Sequence, residues 1–526
     1  MDYCFRVNYL CPFIITSCVS LFLLWFISRL DSKKFSLKHL NILESAIVFL
    51  GIVLRLIRYF VHPMDMACYR RVMTMKWLSF GDLLHLGPDI PSRINDPFGI
   101  LAVQKIMISL FGYSEYSVRL FVLLCSLASI FLFKRIKNWF CSREAGLVAL
   151  LLFCLSRNLL IYSAEINKYS ADIMFTLLLF LMAKRMRQSP LNFLNILLYG
   201  LLGALGLWFS YAAVFILGGI WVAMVAEGMR LKDIKFIGRS ILMGFLWFFS
   251  FILYYFHYAY FIKAYEHAVK WEPCLMPLKV NFLSFIGWFA GRIYYIFADP
   301  ICLCLLPFVG IIMFFLGSIY MFRTKRYQAV MLLGPLVLVI LAAMLRKYAL
   351  GYEAVTFLIP GFYLLVATGW KFFLIKERSQ SKPVLTVMIL FFLLFRPVQA
   401  VIFFVDQDIH HKTGMNSMND LLENVKNNFK AGDIIYVHSQ YQYRFLYTNI
   451  RFGFTKDQYK ISRLSLEDDC SKDLQELKQY KRIWFIYSEL PVNKMKQCLD
   501  QLGQIGSLQE TDQFGWNRSE LYVLPD

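Results

Sequence analysis

Long apolar blocks recur along most of this chain, and they constrain its fold more than any other feature. Each block approaches the roughly 20 residues that an α-helix needs to cross the hydrocarbon core of a bilayer. The blocks begin at residues 10–30 and 40–61 and continue to residues 384–405. Together they predict an all-α polytopic membrane bundle of about 12 transmembrane helices. The composition agrees, because 58% of the residues are apolar, against about 45–50% in soluble proteins.

Clusters of lysine and arginine separate the blocks and predict the topology. The chain carries a formal charge of +20. Most of the excess lies in short loops, at residues 134–137, 184–187, 230–239, 323–326 and 371–382. This is the positive-inside pattern of cytoplasmic loops, so the charge does not indicate a nucleic-acid partner. With every basic cluster in the cytoplasm, residues 62–98 become the first outer loop.

Residues 406–526 form a second region without a spanning block. The segment LLENVKNNFKAGD has the pattern of an amphipathic helix, and IIYVH, RIWFIYS and ELYVL have the pattern of buried strands. Helices alternating with strands predict a small α/β domain. We therefore expect a transmembrane domain over residues 1–405 and a soluble domain over residues 406–526, on the extracytoplasmic side.

Two acids stand out in the first outer loop. Asp65 follows an apolar block inside HPMDMAC, and Asp96 lies in NDPFG. A carboxylate at that position suits a general base that deprotonates an acceptor for attack on an anomeric carbon. With a lipid phosphate as the leaving group, no strong general acid is needed. The structural alternative is that Asp65 only caps the helix predicted to follow it.

The segment YSAEINKYSAD places four polar residues at helical spacing. If one helix covers the whole segment, they share a single face. Ionisable side chains at the end of a membrane helix usually face the bundle interior or a wet cavity. The stripe is therefore either a wall of a substrate site or a structural ladder of ion pairs. Its members are Glu165, Lys168, Tyr169 and Asp172.

Basic residues on the outer side are candidates to bind an anionic phosphate. The main ones are Arg70, Arg346 and Lys347. A divalent metal ion bridging the phosphate to a carboxylate is a further hypothesis, and the sequence leaves its ligands undefined. Gly200, Gly203 and Gly206 lie inside an apolar block, which indicates helix packing and not a nucleotide fingerprint.

Several of these segments resemble a known family. The chain is similar to bacterial multi-pass glycosyltransferases of the C-type superfamily, which includes protein O-mannosyltransferases, aminoarabinose transferases and RgtA/B/C/D-like enzymes. The similar segments are the acid at Asp65, NDPFGIL…LFGYSEYSVRLF at residues 95–121, LIYSAEINKYSAD at residues 160–172, WFSYAAVF at residues 208–215, and AGDIIYV and RIWFIYS in the last region.

The resemblance implies a multi-pass enzyme of the bacterial inner membrane with an extracytoplasmic active site. It implies Asp65 as the catalytic base, and Glu165, Lys168 and Tyr169 as residues that line the site. Arg346 or Lys347 would approach the donor phosphate. Asp96 and Arg70 are added to the candidate substrate-binding residues from their position in the first outer loop and not from the resemblance. The chain departs from the family pattern at Met66, where a glutamate is common, at Asp96, where one proline of a pair is expected, and at Glu353, where an arginine is expected.

The residues alone indicate a membrane protein with an outward-facing cavity lined by acidic and basic side chains. The resemblance adds the reaction type, and it implies a glycosyltransferase that uses a polyprenyl-phosphate sugar donor. Its acceptor would be a glycan, lipid or protein of the cell envelope. Two other classes remain open at this stage. One is a transporter or flippase of lipid-linked sugars, which would place ionisable pairs at mid-membrane depth. The other is a non-catalytic membrane protein whose soluble domain binds an assembly partner.

Overall fold

The structure is a computed structural model that describes residues 37–62, 64–84, 96–188, 192–256, 272–277, 281–299, 301, 306–376, 382–410, 417–462, 471–488, 493–514 and 517–525. The chain divides into two compact units. The first, here called the membrane unit, comprises residues 1–60 and 80–406. The second, the tail unit, comprises residues 61–79 and 407–526. The segment that follows Asp65 therefore clusters with the C-terminal region, which the sequence alone does not reveal.

The described helices up to the tail follow the apolar blocks closely. In chain order they are α1 (Leu37–Val61), α2 (Met66–Trp77), α3 (Phe80–Leu84), α4 (Phe98–Phe111), α5 (Glu115–Phe140), α6 (Arg143–Leu155), α7 (Arg157–Ile161), α8 (Tyr169–Gln188), α9 (Phe193–Phe209), α10 (Ala213–Leu231), α11 (Ile234–Tyr254), α12 (Phe282–Ala298), α13 (Pro307–Thr324), α14 (Arg326–Met344), α15 (Ile359–Lys376) and α16 (Lys382–His410). Within the described ranges, 3₁₀ helices cover Glu272–Cys274, Tyr352–Leu358 and Ser439–Tyr441.

Eight helical stretches among the described residues are long and apolar enough to cross a membrane. Three shorter apolar helices accompany them, namely α4, α9 and α12. The helical membrane bundle expected from the sequence is thereby confirmed. The count of twelve stays a prediction, since the block at residues 10–30 lies outside the described residues.

Glycine residues set the closest helix crossings of the membrane unit. A Cβ atom on Gly200 would lie 2.7 Å from Leu246 Cδ1, and one on Gly203 would overlap the Trp247 indole. The predicted packing role is confirmed for both, because α9 meets α11 there. At Gly206 the nearest atom is at an ordinary 3.7 Å. Among the described helices, α13 and α15 cross still more closely, and Gly317 and Gly369 face each other's backbone there.

A buried arginine ties α1 to the end of α6. Arg55 is 0% exposed. Its Nε donates to Ser126 Oγ at 2.8 Å, and its Nη1 lies 3.0 Å from the Gly51 carbonyl and 3.3 Å from the Cys154 carbonyl. The last carbonyls of a helix have no intrahelical partner and carry partial negative charge. Arg55 therefore caps α6 from a neighbouring helix.

The tail unit is built on a five-stranded sheet in the order β2-β1-β3-β5-β4. The strands are β1 (Asp433–Val437), β2 (Tyr459–Ile461), β3 (Arg482–Ser488), β4 (Ser507–Phe514) and β5 (Asn517–Val523). β1 runs parallel to β2 and β3, whereas β5 pairs antiparallel with β3 and β4. The three strands predicted from the sequence are confirmed as β1, β3 and β5. β2 and β4 were not predicted.

Helices cover both faces of this sheet. They are α17 (Ser417–Asn428), α18 (Gln442–Phe452), α19 (Ser471–Leu477) and α20 (Asn493–Ile505). On one face, Ile435 packs with Leu421 of α17 and Phe445 of α18. On the other face, Ile434 packs with Leu477 of α19. The alternation of buried residues along β1 produces this three-layer α/β arrangement, in agreement with the α/β domain expected from the sequence.

Replacing Gly317 with alanine should lower the thermal unfolding midpoint of the detergent-solubilised protein. The added methyl would meet the Leu365 carbonyl, and overpacking of this kind costs about 1–3 kcal/mol. Gly287→Ala is the matched control, because a Cβ at Gly287 in α12 meets nothing within 4 Å. Equal midpoints for the two variants would contradict the close crossing of α13 and α15.

Candidate functional site

The backbone that leads into α8 is irregular, which corrects one expectation from the sequence. α8 begins at Tyr169, and residues 162–168 form turns and bends. Asn167 Oδ1 accepts a hydrogen bond from the Tyr169 amide at 3.1 Å, and Ser170 Oγ donates to the Tyr162 carbonyl at 2.6 Å. Such side-chain bonds compete with helical ones. The four residues of the predicted stripe therefore do not share one helical face. They are Glu165, Lys168, Tyr169 and Asp172.

Asp172 is the centre of one polar group in the membrane unit. Its side chain is buried, and Ser210 Oγ donates to Asp172 Oδ1 at 2.5 Å. The charges of Lys168 and Asp96 both act on this carboxylate. Lys168 Nζ also lies 4.7 Å from the centre of the Tyr211 ring, a cation–π distance. We call this group the Asp172 cluster, and its members are Asp96, Lys168, Asp172, Ser210, Tyr211 and Tyr254.

Aromatic rings continue the Asp172 cluster on one side. The Tyr254 ring centre lies 5.8 Å from that of Tyr211 and 5.2 Å from that of Trp208. Trp208 in turn lies 6.4 Å from Phe98. The charge of Asp96, a residue only 2% exposed, acts on Tyr254 as well as on Asp172. Carboxylates and phenols beside aromatic faces are groups that bind a ligand carrying both hydroxyls and apolar carbon.

A second polar group, the Tyr162 cluster, surrounds the hydroxyl of Tyr162. The charges of Glu353, Glu165, Asp299 and Arg157 all act on that hydroxyl. Arg157 Nη1 lies 3.6 Å from Asp299 Oδ1, so one carboxylate has a cationic partner within the cluster. Glu353 thus belongs to the same group as Glu165, Asp299 and Arg157.

Tyr169 and Glu165 belong to this second group. The Tyr169 ring centre lies 4.7 Å from that of Tyr162. Glu165 Oε2 accepts a hydrogen bond from Asn167 Nδ2 at 3.2 Å. The structure therefore divides the predicted wall between two clusters, with Lys168 in one, and Glu165 and Tyr169 in the other.

The loop that carries Arg346 and Lys347 has two non-glycine residues with left-handed backbone. Arg346 has φ of 56° and Tyr352 has φ of 49°. Such conformations are uncommon outside glycine and concentrate at functional sites. Arg346 forms an ion pair with Glu272 at 2.6 Å and also donates to the Met276 carbonyl. Lys347 is exposed. The charge of Arg346 is therefore partly offset by Glu272.

Two of the predicted site residues, Asp65 and Arg70, belong to the tail unit. Asp65 is exposed and occupies the N-cap position of α2, where its Oδ1 accepts a hydrogen bond from the Cys68 amide at 2.7 Å. The helix-cap interpretation is confirmed by this bond. The general-base hypothesis for Asp65 stays a prediction. Arg70 is half-buried on α2.

Sequence reasoning missed Ser210, Tyr211 and Tyr254 as members of a site. Ser210 and Tyr211 lie between two apolar blocks, and this polar interruption is a sequence signal that could have identified them. Tyr254 lies at the end of an apolar block with no local feature to single it out. For a metal ion, the described residues bring together no group of three His, Cys, Asp or Glu side chains suited to hold one.

Comparison with known proteins agrees with this architecture. The sequence profile of the dolichyl-phosphate-mannose-protein mannosyltransferase family matches residues 95–255. The structure of ArnT from Cupriavidus metallidurans bound to undecaprenyl phosphate superposes with a TM-score of 0.55 at 10% identity, covering 92% of this chain and 98% of ArnT. Its apo structure gives a TM-score of 0.52 at 11% identity, covering 91% and 98%.

An Archaeoglobus fulgidus oligosaccharyltransferase in complex with Zn and sulfate gives a TM-score of 0.46 at 10% identity, covering 84% of this chain and 67% of that chain. No curated protein sequence matches the chain. The protein is thus an integral membrane protein with the C-type glycosyltransferase fold. The resemblance to the C-type superfamily that the sequence motifs indicate is confirmed.

Replacing Asp172 with alanine should lower the thermal unfolding midpoint more than replacing it with asparagine. Alanine removes the acceptor of the Ser210 hydroxyl. A buried polar group without a hydrogen-bond partner lowers the free energy of unfolding by about 1–3 kcal/mol. Asparagine keeps an oxygen at that position. Thermal unfolding of both variants in detergent checks this order, with Asp457→Ala on the exposed surface of the tail unit as a control. Identical midpoints for the two Asp172 variants would contradict the Ser210 contact.

Proposed function

We propose that this protein is a glycosyltransferase that moves a sugar from a polyprenyl-phosphate donor to a cell-envelope acceptor. The reaction takes place on the outer face of a bacterial inner membrane, and the acceptor is a glycan, lipid or protein. The observation that carries the proposal is similarity in fold over nearly the whole chain to ArnT in a structure bound to undecaprenyl phosphate. The family profile over residues 95–255 supports the same class of reaction.

Asp65 acts as the general base in the proposed reaction. It takes the proton from the acceptor nucleophile as that atom forms a bond to the anomeric carbon of the donor sugar. The bond between the anomeric carbon and the phosphate oxygen breaks, and its electron pair leaves with the lipid phosphate. The phosphate is a stable anion, so its departure needs no strong acid.

The remaining candidates divide by chemistry. Asp96 and Lys168, with the rest of the Asp172 cluster, bind hydroxyl groups of the substrates. Glu165 and Tyr169 do the same from the Tyr162 cluster. Arg70, Arg346 and Lys347 are the cations proposed for the donor phosphate. Lys347 is the stronger candidate of the last two, because Glu272 already pairs with Arg346.

No step of this mechanism passes through a metal ion. Carboxylates that bind a divalent cation gather several oxygen ligands around it. Among the described residues no such group comes together. A divalent metal ion stays a hypothesis with undefined ligands, and the proposal assigns the phosphate charge to the chain's own cations. The tail unit is proposed to lie on the extracytoplasmic side, as the basic loops predict.

Asp65→Asn should abolish transfer while leaving α2 capped. Asparagine caps helices about as well as aspartate, but it cannot accept the proton, so we expect a loss of about 10²–10⁴-fold. Mass spectrometry of envelope glycans and lipid-linked sugars compares wild type, a deletion and Asp65→Asn at equal protein level. We expect one sugar to vanish from its acceptor, and its polyprenyl-phosphate form to accumulate, in both the deletion and the variant.

Asp233→Asn provides the matched control. Asp233 is also an exposed N-cap, and its Oδ1 accepts from the Phe236 amide at 3.0 Å at the start of α11. The Asp233→Asn variant should transfer the sugar at the wild-type level. A deletion that changes the glycan while Asp65→Asn matches wild type would reject Asp65 as the base. A deletion that changes no envelope species would reject the transferase.

A further inference from the structure

The helix that follows Asp65 is part of the tail unit. α2 lies in residues 61–79, which cluster with residues 407–526. Five of its apolar side chains are almost fully buried, namely Cys68, Tyr69, Val72, Met73 and Met75. Its contacts are therefore those of an internal helix of this unit and not those of a loose surface loop.

The residue next to Asp65 anchors the start of α2. Asp65 is exposed, whereas Met66 packs against the apolar cluster on one face of the tail sheet. That cluster includes Trp484 of β3 and Phe445 of α18, both fully buried. The exposed carboxylate is thus one residue away from a partly buried side chain that packs against the core of the unit. This also gives a physical reason for an apolar residue at a position where related enzymes commonly have glutamate.

Two residues of α18 hold the next turn of α2. The Tyr69 ring centre lies 5.2 Å from that of Tyr447. The Arg444 guanidinium carbon lies 5.6 Å from the same Tyr69 ring, within cation–π range. At the far end of the helix, the Trp77 ring lies 6.4 Å from that of Tyr443. Residues one turn apart on α18 therefore contact both ends of α2.

α18 is itself fixed to the sheet. It begins directly after the Ser439–Tyr441 turn that follows β1. The His438 amide donates to the Ile486 carbonyl of β3 at 3.1 Å, and the Tyr441 amide donates to the His438 carbonyl at 2.9 Å. A continuous set of contacts thus runs from the central strands through α18 to α2 and its cap.

We propose that the tail unit positions the carboxylate of Asp65, with Met66, Arg444 and Tyr447 as positioning residues. The inference rests on the proposed function, because it gives Asp65 a catalytic task. A catalytic group must be held within hydrogen-bond reach of the proton it takes. A displacement of about 1 Å, caused by a change far from the chemistry, lowers rate by about 100-fold. On this inference, the tail unit contributes to catalysis by holding the start of α2 in place.

The test compares transfer with the mobility of α2 in the full-length protein. Tyr447→Ala and Met66→Ala each remove one anchor, while Tyr447→Phe and Met66→Leu keep the ring and the apolar volume. Mass spectrometry measures transfer as the amount of the glycosylated envelope species that is absent from the deletion strain. This amount is divided by the amount of the protein. Amide hydrogen exchange of the purified proteins reports residues 66–77 separately from β1 and β3.

We expect both alanine variants to lower transfer by about 10-fold or more. Exchange should become faster at residues 66–77 and stay unchanged in β1 and β3. The phenylalanine and leucine variants should restore both measurements to wild type. Arg451→Gln is the control on α18, because Arg451 is exposed and its guanidinium contacts Phe452.

Two results would overturn the inference. In one, exchange at residues 66–77 rises and transfer stays at the wild-type level. In the other, transfer falls with no change in that exchange. Both results require a wild-type protein with transferase activity. They are thus distinct from failure of the proposed function, in which the deletion itself leaves every envelope species unchanged.

Discussion

Irregular backbone inside an apolar bundle is tolerated only where its polar groups find partners, and the stretch at residues 153–170 depends on this constraint. α6 ends there, α7 lasts a single turn and α8 begins only at Tyr169. Arg55 takes up the last carbonyls of α6. The Tyr363 hydroxyl lies 2.9 Å from both Ser156 Oγ and the Ile301 carbonyl. Removing these partners would leave buried polar groups without hydrogen bonds.

The same break creates the two polar clusters. A continuous helix would have aligned Glu165, Lys168 and Asp172 in one direction. Because the helix starts late, Lys168 lies against Tyr211, and Glu165 lies among the carboxylates near Tyr162. A chain with one regular helix here could present these charges to one surface only. The irregular segment lets a few neighbouring residues belong to two different clusters.

Periodicity and composition predicted most of the architecture, because burial in lipid or in a sheet core leaves a strong local signal. The apolar blocks became helices, and RIWFIYS became β3. β4 was missed since SLQETDQF is polar on both faces, as expected of an edge strand that is largely exposed. The expectation that one helix covers residues 162–172 was wrong, because Asn167 and Ser170 form hydrogen bonds with the backbone. A pattern of apolar residues does not reveal such bonds.

The attachment of α2 to the tail could not be predicted either, since it joins residues far apart in sequence. The physical reason for this attachment is nevertheless simple. α2 has 12 residues, and isolated helices shorter than about 12–15 residues are marginal in water. The helix that Asp65 caps therefore depends on tertiary packing, and Met66, Arg444 and Tyr447 supply part of it. The hydrogen bond from the Cys68 amide fixes the Asp65 carboxylate to the start of α2, so its position follows that of the helix. The geometry of Asp65 is thus set by an apolar neighbour and by a domain more than three hundred residues away along the chain.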